Sequence, residues 1–137
     1  MCRFILSDKS NEGGQSLVEF AMVLPIFLLL VMGIIQFGLI FNGQITLTSA
    51  AREGARLAVV GANNDQVMDR VENAAVALLL NIDRNDIEID RAVGGDDGKL
   101  SVKVYGTVDI IVPLVGTFTG QEFALMSESV MRVEIKP

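Results

Sequence analysis

Between positions 17 and 41 the chain places 25 residues, of which only Glu19, near the start, carries a charge. As an α-helix this stretch is ~37 Å long at 1.5 Å per residue. That exceeds the ~30 Å hydrocarbon core of a bilayer, so the stretch spans with some tilt. It is apolar on every side, and the rest of a 137-residue chain is too short to wrap such a helix in a water-soluble fold. An ordinary cleavable secretory signal fits poorly. Such signals have an apolar core of about 7–15 residues behind a basic stretch and ahead of a small-residue cleavage site. Here the apolar run is longer, Arg3 and Lys9 are offset by Asp8 and Glu12, and the polar run from Gln44 to Ser49 offers a poor site. Lipid attachment at Cys2 is not expected, because no apolar segment stands ahead of it. The segment is therefore expected to stay in the mature protein. Charge does not orient it: Arg3 and Lys9 on one flank balance Arg52 and Arg56 on the other.

Four residues inside the run break its uniformity. Pro25 removes a helical N–H and crowds the carbonyl of Ala21, which predicts a kink or loosening there. Gly33 and Gly38 allow a neighbouring helix to approach closely, although their spacing is five rather than the four of GxxxG. Gln36 is a polar group deep in the run. It reads either as a tolerated side chain with any available partner or as an interhelical hydrogen-bonding group.

Composition removes several function classes. The chain has 11 Lys and Arg against 17 Asp and Glu, a net charge of −6, and no basic cluster, which argues against a nucleic-acid partner. It has no His and a single Cys, so the commonest general base and metal ligand are missing and no intrachain disulfide forms. No local spacing supports a Ser/Lys or paired-carboxylate catalytic site. Alternating oxygens from Asn81 to Asp86 resemble the start of a calcium loop. Asp86 stands where that loop needs Gly, however, and Ala92 where it needs Glu. We expect no catalytic residue, metal or cofactor.

Beyond Gly43 the sequence reads as a small domain. The first helix is predicted to continue to about Val60, with Leu47, Ala51, Gly54, Ala55, Ala58 and Ala62 on one stripe. Arg52 and Arg56 lie off that stripe, and Glu53 is placed to meet Arg56 at i,i+3. The arginines read as a solvated edge, a subunit contact or a lipid-headgroup anchor. A second helix is predicted from Gln66 to Leu80, capped by Asn64 or Asp65, with Val67, Val71, Ala74, Ala75 and Leu78 inward. Ile87, Ile89 and Val93 alternate with polar residues, broken by Arg91, and the glycine-rich run from Gly94 to Gly98 predicts a hairpin turn. A second strand holds one parity from Leu100 to Val112, with a bulge expected at Gly106 and a stop at Pro113. A third places Phe123, Leu125, Met131, Val133 and Ile135 on one side. The predicted fold is α+β: a long N-terminal transmembrane helix continuing into a domain with a second helix and a three-stranded antiparallel sheet.

The residues around the start of the run carry a resemblance. A polar stretch ends at Gly14, Gln15 and Ser16 follow, the apolar run begins at Leu17, and Glu19 stands five residues after the glycine. This resembles a type IV prepilin signal. Together with Leu24 and Pro25, and with Ala51, Arg52, Glu53, Gly54, Ala55 and Arg56 beyond the span, the pattern is similar to the TadE-like pseudopilin family of tight-adherence (Flp, type IVb) pilus systems. The resemblance covers about residues 14–60. It implies a pilin-like fold, a leader of residues 1–14 cut by a prepilin peptidase after Gly14, and Gln15 as the new N-terminus. It further implies a transmembrane helix over 15–43 and a domain over 44–137 outside the cytoplasmic (inner) membrane, with the N-terminus cytoplasmic. Partners implied are other pilins or pseudopilins, the inner-membrane assembly platform and membrane lipid, and the role is pilus assembly and adhesion as a minor pilin. Glu19 then faces the Gln15 amine of a staggered neighbour, relieving two charges in a poor dielectric. The other reading of Glu19 is a carboxylate that reaches the headgroups, and cyclisation of Gln15 would remove the pairing charge. Cleavage would also discard Cys2. The competing reading of the whole chain is a signal-anchored extracytoplasmic binding domain unrelated to pilus assembly.

Overall fold

A computed structural model of the protein describes residues 12–77, 79–93, 98–112 and 120–133. Helix α1 (Glu12–Val59) is one unbroken element of 48 residues that runs through Pro25. It stops because Gly61 takes φ +96°, a conformation open to a residue without Cβ. The Gly61 N–H then donates to the Ala58 carbonyl at 3.2 Å and the Ala62 N–H to the Leu57 carbonyl at 3.3 Å, a Schellman closure. Helix α2 (Asn64–Ala74) follows directly. Asn63 is its cap: its side chain accepts from the Gln66 N–H at 2.8 Å, and the Gln66 side chain accepts from the Asn63 N–H at 3.3 Å. The cap thus lies one residue before the earlier of the two predicted.

Among the described residues four strands form one antiparallel sheet: β1 (Leu80–Asn81), β2 (Ile87–Val93), β3 (Lys99–Asp109) and β4 (Glu122–Arg132). Strand β3 is central. It pairs along its full length with β4, from Lys99 opposite Arg132 to Asp109 opposite Glu122. Its other side pairs with β2 and, at Thr107 and Val108, with β1. The α+β architecture, the inward parity of Leu100, Val102, Val104 and Val108, and the buried stripe of α1 agree with the sequence reading.

Three local expectations change. Helix α2 ends at Ala74 instead of continuing to Leu80, because Leu80 and Asn81 are taken by the sheet as a strand opposite Val108 and Thr107. The sheet therefore has a fourth, short strand. The bulge is not at Gly106, where β3 stays in register with β4. It lies in β2 between Asp90 and Val93. Gly106 instead lets β1 come close, since a Cβ there would lie 3.1 Å from Ile82 Cγ1 and 3.3 Å from the Asn81 carbonyl. The third change is an ion pair: Glu53 meets Arg70 of α2, at 3.2 Å, in place of Arg56. Positions 94–97 of the turn predicted from Gly94 to Gly98, the stop at Pro113, and Leu78 and Ile135 lie outside the described residues.

The β2 bulge explains the residue that interrupted the strand pattern. Arg91 turns its guanidinium to the end of α1, donating to the Ala58 carbonyl at 3.3 Å and the Ala62 carbonyl at 2.6 Å, and to Asn64 Oδ1 at 3.0 Å. A cation on the last carbonyls of a helix is favourable through both hydrogen bonding and the helix dipole. Arg84, in a 3-10 turn over Arg84–Asp86, ties that turn to α2 through Asp69 and Glu72.

The core forms where α1 lies on the sheet. Leu47, Ala50, Ala51, Ala55 and Ala58 meet Val67 and Val71 of α2 and Leu100, Val102, Val104 and Val108 of β3. Gly54 sets the approach distance, because a Cβ there would lie 2.5 Å from Val71 Cγ2. We expect Gly54→Ala to lower unfolding free energy by ~1–3 kcal/mol through overpacking. Gly38→Ala, with nothing within 4 Å of the added atom, should cost nothing and favour the helix slightly. Denaturant unfolding in detergent micelles tests the pair, and equal midpoints for the two variants would refute this account of Gly54.

Candidate functional site

Helix α1 has two environments. Over residues 14–30 every residue is exposed, including Gly14, Gln15, Glu19 and Pro25. The most apolar window of the helix has none of its residues buried in the protein. Exposed side chains here include Leu17, Phe20, Met22, Ile26, Phe27 and Leu30. An apolar surface of this size is unfavourable in water, and its partner lies outside the described residues. The helix is long and apolar enough to cross a membrane.

The second environment begins at Gln36, which is 6% exposed. Its amide Nε2 donates to the Asp109 carbonyl at 3.1 Å, and its Oε1 accepts from the Ile111 N–H at 2.8 Å. The side chain thus works like a short piece of strand, pairing with the backbone where β3 runs out. Neither sequence reading of Gln36 anticipated a partner in the chain's own sheet, because nothing local marks where a strand 73 residues away will end. Two turns further on, Gln44 donates to the Met126 carbonyl of β4 at 3.1 Å. Hydrogen bonding to the sheet therefore starts at Gln36, within the stretch read as transmembrane from sequence. The helix ahead of it, residues 14–35, is ~33 Å long, close to the thickness of a hydrocarbon core, and within it only Val31 and Gly33 are partly covered.

The remaining candidates divide by face. Gly33 borders an apolar hollow of about 330 Å³ with Gln36, Phe37 and Ile40 of α1 and Ile110, Val112 and Phe123 from the ends of β3 and β4. Gly38 is exposed, and a Cβ there would touch nothing. In the motif beyond the span, Ala51, Gly54 and Ala55 are buried against α2 and β3, while Arg52 and Arg56 are exposed. The small residues of that motif have a packing role, and Glu53 bonds α1 to α2 through Arg70. Arg52 stands 16 residues beyond Gln36, ~24 Å of helix, which is far for a headgroup anchor at the same bilayer surface. Among the described residues no group of three or more Cys, Asp or Glu is placed to hold a metal ion.

Residues 14–56 match the model of the TadE-like protein family. The match starts at Gly14, ends at Arg56, and takes in the exposed rod, the Gln36 junction and the small-residue motif in the core. It is consistent with a TadE-like protein of the tight-adherence system and connects the chain with pilus-associated structural proteins. No curated protein and no solved structure matches the chain.

Replacing Gln36 with Leu would leave the Asp109 carbonyl and Ile111 N–H without this partner. The expected cost is ~1–3 kcal/mol. Hydrogen exchange at the Ile111 amide should accelerate about tenfold or more, the equivalent of ~1.4 kcal/mol. Unchanged protection in Gln36→Leu would show that the clamp contributes nothing.

Proposed function

We propose that the protein is a minor pilin or pseudopilin of a tight-adherence pilus system and works by helix packing rather than catalysis. The observation that carries this reading is the rod: residues 14–30 are exposed on all sides, yet the rod is continuous with a helix locked into a folded domain. Such a helix obtains its neighbours first from lipid and then from the helices of other pilins or pseudopilins. The family match over the same residues supports the pilus context.

In this reading residues 1–14 are a cytoplasmic leader, a prepilin peptidase cuts after Gly14, and Gln15 becomes the N-terminus. The domain lies outside the inner membrane, and the assembly platform draws the helix from the bilayer into the pilus. Gly14 and Gln15 are exposed on a part of α1 that the domain does not cover, so a membrane peptidase meets no steric barrier from the fold. Glu19 lies one turn from that new end. An uncompensated carboxylate near the lipid is unfavourable, and a staggered neighbour's amine offsets it, which selects one register. The outward notch at Gly38 and the exposed turn at Pro25 lie on different sides of the rod, and neighbouring helices meet it at both. Arg52 and Arg56 continue the Gly38 side above the membrane as a subunit contact.

Peptide mapping by mass spectrometry of the membrane-extracted protein should find the mature chain beginning at Gln15, free or cyclised. A start at Met1 or after Ser49 rejects processing at Gly14. Glu19→Ala should be cut normally and reduce pilus yield by roughly tenfold, equivalent to ~1.4 kcal/mol per contact. Wild-type pilus yield from a deletion strain complemented with this variant would remove the charge pair from the mechanism.

A further inference from the structure

The lower end of the domain carries an apolar band that its own core does not use. Ile111 is 55% exposed and Phe123 46%, at the ends of β3 and β4 nearest the rod. Beside them on α1, Phe37 and Phe41 are more exposed still, with ring centroids 6.4 Å apart. Phe37 and Phe123 line the apolar hollow together with Gln36, and the Ile111 N–H donates to the same Gln36. No charged residue occurs in the sequence between Asp109 and Glu122. Those two residues pair in register at the ends of β3 and β4, one step nearer the rod than Phe123, which pairs with Val108.

The backbone at this level is also prepared for a medium poor in water. The Asp109 carbonyl and Ile111 N–H are held by Gln36, the Ile110 N–H donates to Gln121 at 2.8 Å, and the Asp109 N–H to Leu79 at 3.3 Å. Unpaired strand-end groups would be costly near lipid. An apolar surface with these four backbone groups paired, continuous with a rod that needs lipid, matches the bilayer interface better than it matches water.

We propose that Ile111 and Phe123, with Phe37 and Phe41, form a membrane-contact surface by which the domain seats its lower end in the bilayer that α1 crosses. The inference rests on α1 spanning that bilayer. The rings lie ~5–10 Å into the headgroup–acyl boundary, the usual depth of interfacial apolar groups. The contact sets the depth at which α1 leaves the lipid and holds the domain in one orientation over the membrane before assembly.

The chain contains no Trp, so single-tryptophan variants of the full-length protein report position directly. Phe123→Trp and Ile111→Trp test the surface, Phe27→Trp tests the span, and Val60→Trp, at an 82% exposed site in the upper part of the domain, is the distant control. Each is reconstituted in vesicles of phosphatidylcholine with acyl chains brominated near the headgroup, or at mid-chain for the Phe27 variant, and compared with unbrominated vesicles. The Phe123 and Ile111 variants should each lose roughly half their emission, as expected for rings within ~5–10 Å of the boundary. The Phe27 variant should lose as much to the mid-chain label, while the Val60 variant is unquenched. Quenching at position 27 with none at 111 and 123 overturns the contact surface and leaves the span standing. Absence of quenching at 27 overturns both. Emission at 111 and 123 that is unquenched, blue-shifted and reverts on dilution into excess lipid assigns the band to a second copy and overturns lipid contact. Quenching at position 60 as strong as at 123 also overturns it, since the contact would not be confined to this end.

Discussion

Ala51, Gly54, Ala55 and Ala58 bring the backbone of α1 down onto α2 and β3, and the rest of the molecule is arranged around that close approach. Small side chains bury little apolar area themselves. Their effect is to let Val67, Val71, Val102 and Val104 reach the helix and close the core. The only cysteine is Cys2, near the N-terminus, so the domain is held by this packing and its hydrogen bonds rather than by a disulfide. The end of α1 is secured in the same non-covalent way, by the Gly61 closure and the three bonds from Arg91.

Because the helix is continuous, the packing that stabilises the domain also fixes the direction of the rod. Gln36 and Gln44 add side-chain pairing with β-strand backbone on the way down, so the rigid union extends to within a few turns of the mid-span residues. A displacement of the rod within a membrane or a filament is therefore transmitted to the domain, and a load on the domain to the rod. This suits a subunit whose activity consists of fitting between neighbours.

Much of the fold was legible in the sequence because it depends on periodicity. The stripe from Leu47 to Ala58 repeats at helical spacing, and the inward residues of β3 repeat at every second position. What could not be read there depends on distant neighbours. The end of α2 at Ala74 follows from the claim of the sheet on Leu80 and Asn81, and the bulge in β2 accompanies the contact of Arg91 with the end of α1. Glu53 meets Arg70 rather than Arg56 because α2 folds back beside α1. Among the candidate residues, Gly14 and Glu19 were found from local pattern and stand on the exposed rod, whereas the partner of Gln36 was not legible, since it is a strand end 73 residues away.

The sequence alone determined that a rod of lipid-compatible length leads into a small α+β domain, because uniform apolarity and regular alternation are properties of neighbouring residues. Only the tertiary structure decided where the rod stops being free. That point is set by which helix residue meets the open end of β3, and hydrogen bonds between segments so far apart form only when packing has brought them together.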